Sequence, residues 1–432
     1  MKKYISHITR KAWILAFSTT ARNTYMVFAG NIISAFFAFL FTVVLVRGLS
    51  FADFGYFSAL LSFLLLVSDL TDIGIGSSLS AFIPKLEADR QKLLVFLKTS
   101  FFLQAGVAGT VSILIFFLSS FLSIIFFHTR DLTYLVQITS LGIFCTILAN
   151  FLQYVLSARQ MFFKVSILSS FGGASRFALL LLVLGFSTLN VDNALWAHTV
   201  MVILLLILAI KFVGVKFLKA RFSISDLKNL ISFTSFLGVA RGLTALASRL
   251  DVLMLIALTN PTEAGIYSTA SRVVSIYPLL SGSFSTVIAP KLTATTDRKR
   301  LKDFMIKVTI GTGGIVTTIL VLILFAHPFI TVLFGQKAES AVSVFQLLLL
   351  AMIFFVASIP VVSLAIYYLR KPHILSVNSI IQLFVVIIGN LFFIPRFGRM
   401  GTAYSLIIAY GITLFFTAYL VFIYLRKKHE SE

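Results

Sequence analysis

Cysteine is nearly absent: Cys145 stands alone in 432 residues, inside an apolar run. A lone cysteine excludes an intrachain disulfide and a thiolate metal cluster, and its expected role is that of a small buried side chain. Charge is scarce as well. Asp, Glu, Lys and Arg make up 12% of the chain against 59% hydrophobic residues, with a mean hydropathy of +1.02, which excludes an ordinary soluble protein of this size. Catalytic signatures are missing too: there is no HExxH, no GxSxG, no Walker loop and no cluster of histidines. His128 and His327 fall at the outer ends of apolar runs, where a solvated interfacial position is expected rather than metal ligation. No loop is long enough to fold as a domain. The longest basic connections, 217–229 and 291–303, hold about a dozen residues each, whereas an enzyme acting on sugars or lipids outside the membrane usually carries a larger platform. No catalytic residue, cofactor or metal is therefore expected.

What is present is a series of long apolar segments. A membrane span needs about 20 such residues, and the segments near 25–47, 54–83, 94–127, 132–156, 161–187, 193–215, 229–258, 264–290, 304–326, 342–369, 373–394 and 401–425 qualify. They are continuously apolar rather than alternating, so helices are expected and a barrel is not. The fold class is an all-α polytopic membrane protein of about twelve spans. Residues 1–23 lack the compact apolar core and cleavage site of a signal peptide, and are expected to be a retained amphipathic lead-in on the membrane surface.

The net charge of +21 is explained by orientation better than by nucleic-acid binding. Of 36 Lys and Arg, only Arg47, Arg130, Lys337, Arg396 and Arg399 fall on one side of the spans, and Arg176, Arg241, Arg249 and Arg272 fall within them. The rest share the other side, which by the positive-inside rule is cytoplasmic and holds both termini. Contact of those basic loops with anionic membrane lipid or a cytoplasmic partner is the alternative reading of the same charges.

Residues 45–58, LVRGLSFADFGYFS, align without a gap on 255–268, LIALTNPTEAGIYS, at an offset of 210. Leu45 meets Leu255, Asp53 meets Glu263, Gly55 meets Gly265 and Ser58 meets Ser268. Both copies join two spans at the outer face. The expected organisation is therefore a parallel repeat of two six-helix lobes, 24–220 and 221–432, about an axis along the membrane normal.

An ionised side chain at the centre of a bilayer costs roughly 2.5–3.5 kcal/mol on insertion scales, so the interior charges mark candidate sites. Gly238, Arg241, Ala245, Ser248 and Arg249 share one helical face, whereas Asp251 lies off it and is expected to contact another helix. Arg249 precedes the Asn260-Pro261 turn by about as many residues as Arg272 follows it, so both lie at matched depth below the outer edge. Arg176 follows Gly172 and Gly173, glycines that let a neighbouring helix approach closely. The interior cations are all arginine, whose planar fork grips phosphate bidentately, which points to an anionic, phosphate-bearing ligand. Asp69 and Asp72 sit three apart on a stripe with Ser62, Gly76 and Ser80. They read either as a cavity wall able to answer a proton or cation, or as structural groups capping a helix where Gly74 and Gly76 loosen the backbone. Pro278 and Pro360 stand inside spans, as static kinks or as bends that serve motion.

The runs RGLSFADFGYFS, SDLTDIGIGSSLSAFIPK, SRLDVLMLIALTNPTEAGIYSTASRV with VIAPKL, ITVLFGQKAESAVSVFQLL and IPRFGRMGTAYSLIIAYG resemble the polysaccharide-transport branch of the multidrug/oligosaccharidyl-lipid/polysaccharide (MOP) exporter superfamily. The resemblance implies two six-helix lobes around a cationic cavity. It also implies a bacterial inner-membrane flippase for an undecaprenyl-pyrophosphate-linked repeat unit of O-antigen, lipopolysaccharide, capsule or exopolysaccharide. Arg241, Arg249 and Arg272, with Arg176 less securely, would hold the pyrophosphate, and Asp69 and Asp72 would serve proton or Na+ coupling. Polysaccharide polymerases or glycosyltransferases would be partners, and nucleic acid would not. A drug or metabolite antiporter of the same superfamily is the alternative, and a membrane glycan polymerase or ligase a more distant one.

Overall fold

The computed structural model describes residues 19–72, 74–294 and 297–430, so most of the expected lead-in lies outside the described residues. Among these no strand occurs, and the chain is built of α1 (Thr19–Gly48), α2 (Phe51–Thr71), α3 (Ile75–Leu86), α4 (Arg90–Phe117), α5 (Ser119–Phe127), α6 (Thr133–Ala158), α7 (Phe162–Phe186) and α8 (Val191–Val213). A 3-10 turn, Lys216–Lys219, precedes α9 (Ile224–Leu258), α10 (Pro261–Val274), α11 (Ile276–Ala294), α12 (Arg298–Leu324) and α13 (Ala326–Phe334). Then come α14 (Val342–Ser363), α15 (His373–Phe397) and α16 (Arg399–Glu430). Ten described helices are long and apolar enough to cross a membrane. The two remaining expected spans are α9 and the pair α10–α11, the segments that carry the interior charges Arg241, Arg249, Asp251 and Arg272. The protein is a multi-pass α-helical membrane protein.

Three expected spans are interrupted. The segment 54–83 breaks between α2 and α3, where Gly74 takes φ 79°, a left-handed conformation open to glycine at little cost. The segment 264–290 breaks at Ser275, because Pro278 lacks the N–H that would bond the carbonyl of Val274 and its ring would press on that carbonyl. The segment 94–127 breaks at Leu118, and a matching break follows α12 at Phe325. Each of these last two is followed by a nine-residue helix, α5 or α13, and then by a left-handed residue, His128 at φ 57° or Gly335 at φ 87°. Pro360 stays inside α14, and the helix absorbs it by widening into a π turn at Leu364–Tyr368. The connections 217–229 and 291–303, expected as loops, are mostly helical.

The described chain forms two compact units. One comprises the residues up to Val44, Val67–Leu122 and Asp131–Arg241; the other Leu45–Leu66, Ser123–Arg130 and Gly242 onward. In the first, Ile75, Leu79 and Ile83 of α3 share a core with Phe96 of α4 and Phe151, Leu152 and Val155 of α6. Gly173 of α7 meets the backbone of α1 so closely that a Cβ there would lie 2.6 Å from the Cα of Ser34.

The second unit contains both copies of the sequence repeat, and they pack on each other. Ser50 and Asp53 cap α2 by reciprocal hydrogen bonds of 2.7 and 3.1 Å, and at the equivalent positions Asn260 accepts from the N–H of Glu263 at 3.0 Å. One turn further on, Gly55 and Gly265 lie at the crossing of α2 with α10. A Cβ on Gly55 would stand 1.8 Å from the carbonyl oxygen of Pro261, and one on Gly265 would stand 1.9 Å from that of Phe51. Each contact is the other one shifted by 210 residues, so the crossing is locally two-fold.

Arg47, Lys337 and Arg399 make structural contacts. Arg47, at the end of α1, donates to the carbonyls of Leu333 and Val332 at 2.9 and 2.6 Å. Lys337 in turn donates to those of Arg47 and Leu49 at 2.9 and 2.7 Å. The carbonyls that α1 and α13 leave unpaired at their C-termini are thus each met by a cation from the other segment. Arg399 pairs with Glu263, and its N–H donates to the same carboxylate at 2.9 Å, tying the starts of α10 and α16 together.

Candidate functional site

Helical spacing collects the polar side chains of α10 onto one stripe: Tyr267, Ser268, Ser271, Arg272 and the adjoining Ser275 recur at intervals of one, three and four. On α2, Ser58 and Ser62 lie one turn apart, and on α9 Ser248, Arg249 and Asp251 are neighbours. Within the second unit these faces converge on a cavity of about 360 Å³, lined further by Leu348 and Met352 of α14, Gln382 of α15 and Leu406 and Tyr410 of α16. That volume lies within the usual span of small-molecule sites.

Arg249 and Arg272 both line this cavity, as their matched depth predicts. Asp251 lines it as well. Its Oδ2 accepts from the Tyr267 hydroxyl at 2.6 Å and its Oδ1 from the N–H of Val252 at 2.8 Å. The first length is that of a hydroxyl donating to a carboxylate. Asp251 therefore contacts another helix, as its position off the arginine face implies, and also stands on the cavity wall. Two guanidiniums against one carboxylate leave a formal positive charge facing a chamber rich in hydroxyl groups. Ser58 and Ser268, equivalent in the repeat, are both buried on this wall, one turn beyond the glycine crossing.

Arg176, Asp69 and Asp72 do not line this cavity. Arg176 stands on α7 in the first unit, its guanidinium 4.0 Å from the centre of the Phe41 ring, a cation–π geometry. The side chain of Arg241 lies outside the described residues. Asp69 occupies the last turn of α2 and Asp72 the break after it, where the Asp72 carboxylate accepts from the N–H of Gly76 at 3.4 Å. The polar stripe is thus divided: Ser62 faces the cavity, Asp72 caps α3, Gly76 packs against the Tyr154 ring, and Ser80 donates to the carbonyl of Gly76 at 2.9 Å.

Tyr267, Tyr410, Gln382, Ser271 and Ser275 were not singled out by the sequence. For Tyr267 a signal exists: its counterpart in the first repeat copy is Phe57, so the two copies differ there by the one hydroxyl that Asp251 binds.

The sequence pattern of a family described as polysaccharide biosynthesis protein matches residues 20–296. The chain belongs to this family. The match takes in α1 to α11, and with them Arg176, Arg249, Arg272, Asp69 and Asp72, while Gln382 and Tyr410 lie beyond it. Among solved structures, the lipid II flippase MurJ in an inward closed conformation is similar with a TM-score of 0.75 at 18% identity, over 92% of this chain and 87% of that one. An inward-facing multidrug resistance MATE family transporter of the MOP superfamily is similar with a TM-score of 0.73 at 12% identity, over 94% and 99% of the two chains. A MOP superfamily transporter from Pyrococcus furiosus, described as having a binding pocket of reverse polarity, gives 0.63 at 13% identity, over 93% and 94%. No curated protein sequence matches this one. The family member described here thus has the fold of the MOP superfamily.

Proposed function

We propose that the protein is a lipid-linked oligosaccharide flippase of a bacterial inner membrane, moving an undecaprenyl-pyrophosphate-linked repeat unit of O-antigen, capsule or exopolysaccharide from the cytoplasmic to the outer leaflet. The observation that carries this reading is the convergence of Arg249 and Arg272, from two helices, on one hydroxyl-lined cavity within the membrane-spanning part of the chain. Two forks that cannot shed their protons suit a pyrophosphate, and serine, tyrosine and glutamine side chains suit sugar hydroxyls. Family membership supports the polysaccharide connection. In this reading both termini are cytoplasmic, 24–220 and 221–432 are the two lobes, and Arg176 and Arg241 extend the anion path. Asp69 and Asp72, at a helix break, couple turnover to a proton or Na+. Transport follows if the substrate binds the occluded state differently from either open state; no covalent step is involved.

The test is complementation of a strain lacking the gene by Arg249→Ala and Arg272→Ala. Normal membrane levels with lost surface polysaccharide are expected of both. Normal polysaccharide in both overturns the assignment, and drug-stimulated efflux in vesicles without transfer of a lipid-linked sugar would favour the antiporter instead.

A further inference from the structure

A second concave surface lies far from Arg249 in the chain, within the first unit. Phe102, Leu103, Gly106, Val107, Thr110 and Val111 form a continuous stripe on α4, and with Phe222 and Leu227 they line a groove of about 590 Å³. Its floor is open along the helix: a Cβ added at Gly106 would meet nothing within 4 Å. Phe102 and Phe222 are 50% and 46% exposed on its walls. From Phe102 to Val111 the stripe runs about 14 Å at 1.5 Å per residue, close to half of the roughly 30 Å hydrocarbon core. The groove is one leaflet deep.

Its rim is basic. The segment between α8 and α9 is held on α4 by Phe217, whose ring lies 5.4 Å from that of Phe101, by Lys98 donating to the carbonyl of Ala220 at 2.7 Å, and by the N–H of Ser223 donating to Thr99 at 3.1 Å. This anchoring leaves Lys216, Lys219, Arg221 and Lys228 exposed, with Asp226 the one acid between them. Arg221 adjoins the wall residue Phe222, Lys228 adjoins Leu227, and Lys98 stands one turn before Phe102. Apolar wall and cationic rim therefore meet at one end of the groove.

We propose that this groove binds an anionic phospholipid of the cytoplasmic leaflet, one acyl chain lying against Gly106 and the phosphate held by Lys219, Arg221 and Lys228. The depth of one leaflet, the apolar walls and the charge at one end only are the features of a single lipid molecule. The inference rests on the orientation read from the basic residues and not on the flippase reading.

The test uses the full-length protein purified in a neutral detergent, with retained lipid read by native mass spectrometry after addition of phosphatidylglycerol or phosphatidylcholine of the same chains. The wild type is expected to retain phosphatidylglycerol roughly tenfold better, since each cation near the headgroup strengthens binding several-fold. Gly106→Leu, which fills open space and leaves the fold intact by size exclusion, should lose both lipids. The triple variant Lys219→Gln/Arg221→Gln/Lys228→Gln should bind the two equally. Equal retention of the two lipids by the wild type, or undiminished phosphatidylglycerol on Gly106→Leu, would overturn the proposal.

Discussion

Replacing Gly55 by Ala puts a methyl group where the carbonyl oxygen of Pro261 stands. The added Cβ would lie 1.8 Å from that oxygen, about 1.6 Å short of the 3.4 Å at which ordinary contact begins. The atoms in the way are backbone on a second helix, so no rotamer change relieves the overlap and α2 and α10 must part. Overpacking of this kind costs typically 1–3 kcal/mol when side chains can yield, and the rigid partner puts this case at the upper end or above. The local symmetry adds a sharper requirement: Gly265→Ala meets the carbonyl of Phe51 at 1.9 Å and should cost the same. Gly313→Ala, on α12 with nothing within 4 Å, is the control, and should be neutral or stabilising by roughly 0.5–1 kcal/mol because alanine is the better helix former. Thermal unfolding in detergent, followed by size exclusion, reads all three. At roughly 2–4 °C for each kcal/mol in chains of 150–250 residues, and less in longer ones, a drop of about 5 °C or more is expected for each crossing variant. A Gly55→Ala protein as stable as the wild type, or two crossing variants far apart in stability, would refute the backbone contact and its symmetry.

Tyr267→Phe restores the residue of the first repeat copy and removes the 2.6 Å bond to Asp251; a loss of about 1.5–3 kcal/mol is expected for a hydrogen bond to a charged group, and a double-mutant cycle with Asp251→Asn should show most of it as coupling. His128→Gly should stabilise the protein by at most about 1 kcal/mol in the same thermal assay, since His128 holds φ 57° where the equivalent turn has Gly335. Asp89, on the aqueous side of α4, accepts from the N–H groups of Lys92 and Gln91 and pairs with Lys92, which holds its carboxyl below the usual range. A depressed folded-state value means that the cap stabilises the folded protein above the ordinary aspartate range and is lost as pH falls through the depressed value. Hydrogen-exchange protection in the first turn of α4, taken relative to the intrinsic rate at each pH, should therefore fall on acidification, and Asp89→Ala should abolish that dependence.

Much of this architecture is legible in the sequence because membranes impose strong patterns. Long apolar runs mark the helices, and the offset of 210 marks the pair of capped helices that cross at Gly55 and Gly265. Matched depth about the Asn260-Pro261 turn brings Arg249 and Arg272 to one cavity. Asp251 and Tyr267 stand at unequal distances from that turn, so depth does not pair them, and a phenol in an apolar run carries no anomaly to draw notice. The helix breaks divide in the same way. Gly74, Pro278 and Pro328 announce theirs through backbone chemistry, Pro328 following the break at Phe325 by three residues as Pro278 follows that at Ser275, whereas Leu118 interrupts a run as apolar on one side as on the other, so that turn is set by packing. Asp72 had two readings from sequence, and its bond to Gly76 gives the capping one a definite geometry. Arg176 follows its glycines as expected, with Gly173 against α1, while its stacking on Phe41 is a contact between helices far apart in sequence.

The central claim is that Arg249 and Arg272 hold the phosphates of a lipid-linked sugar as it crosses the membrane. Its most direct test is leaflet-resolved transfer of an undecaprenyl-pyrophosphate oligosaccharide in vesicles reconstituted with the wild type or with the Arg249→Ala/Arg272→Ala variant at equal density. Transfer by the wild type and background transfer by the folded double variant is the predicted result; equal transfer by both would contradict the account.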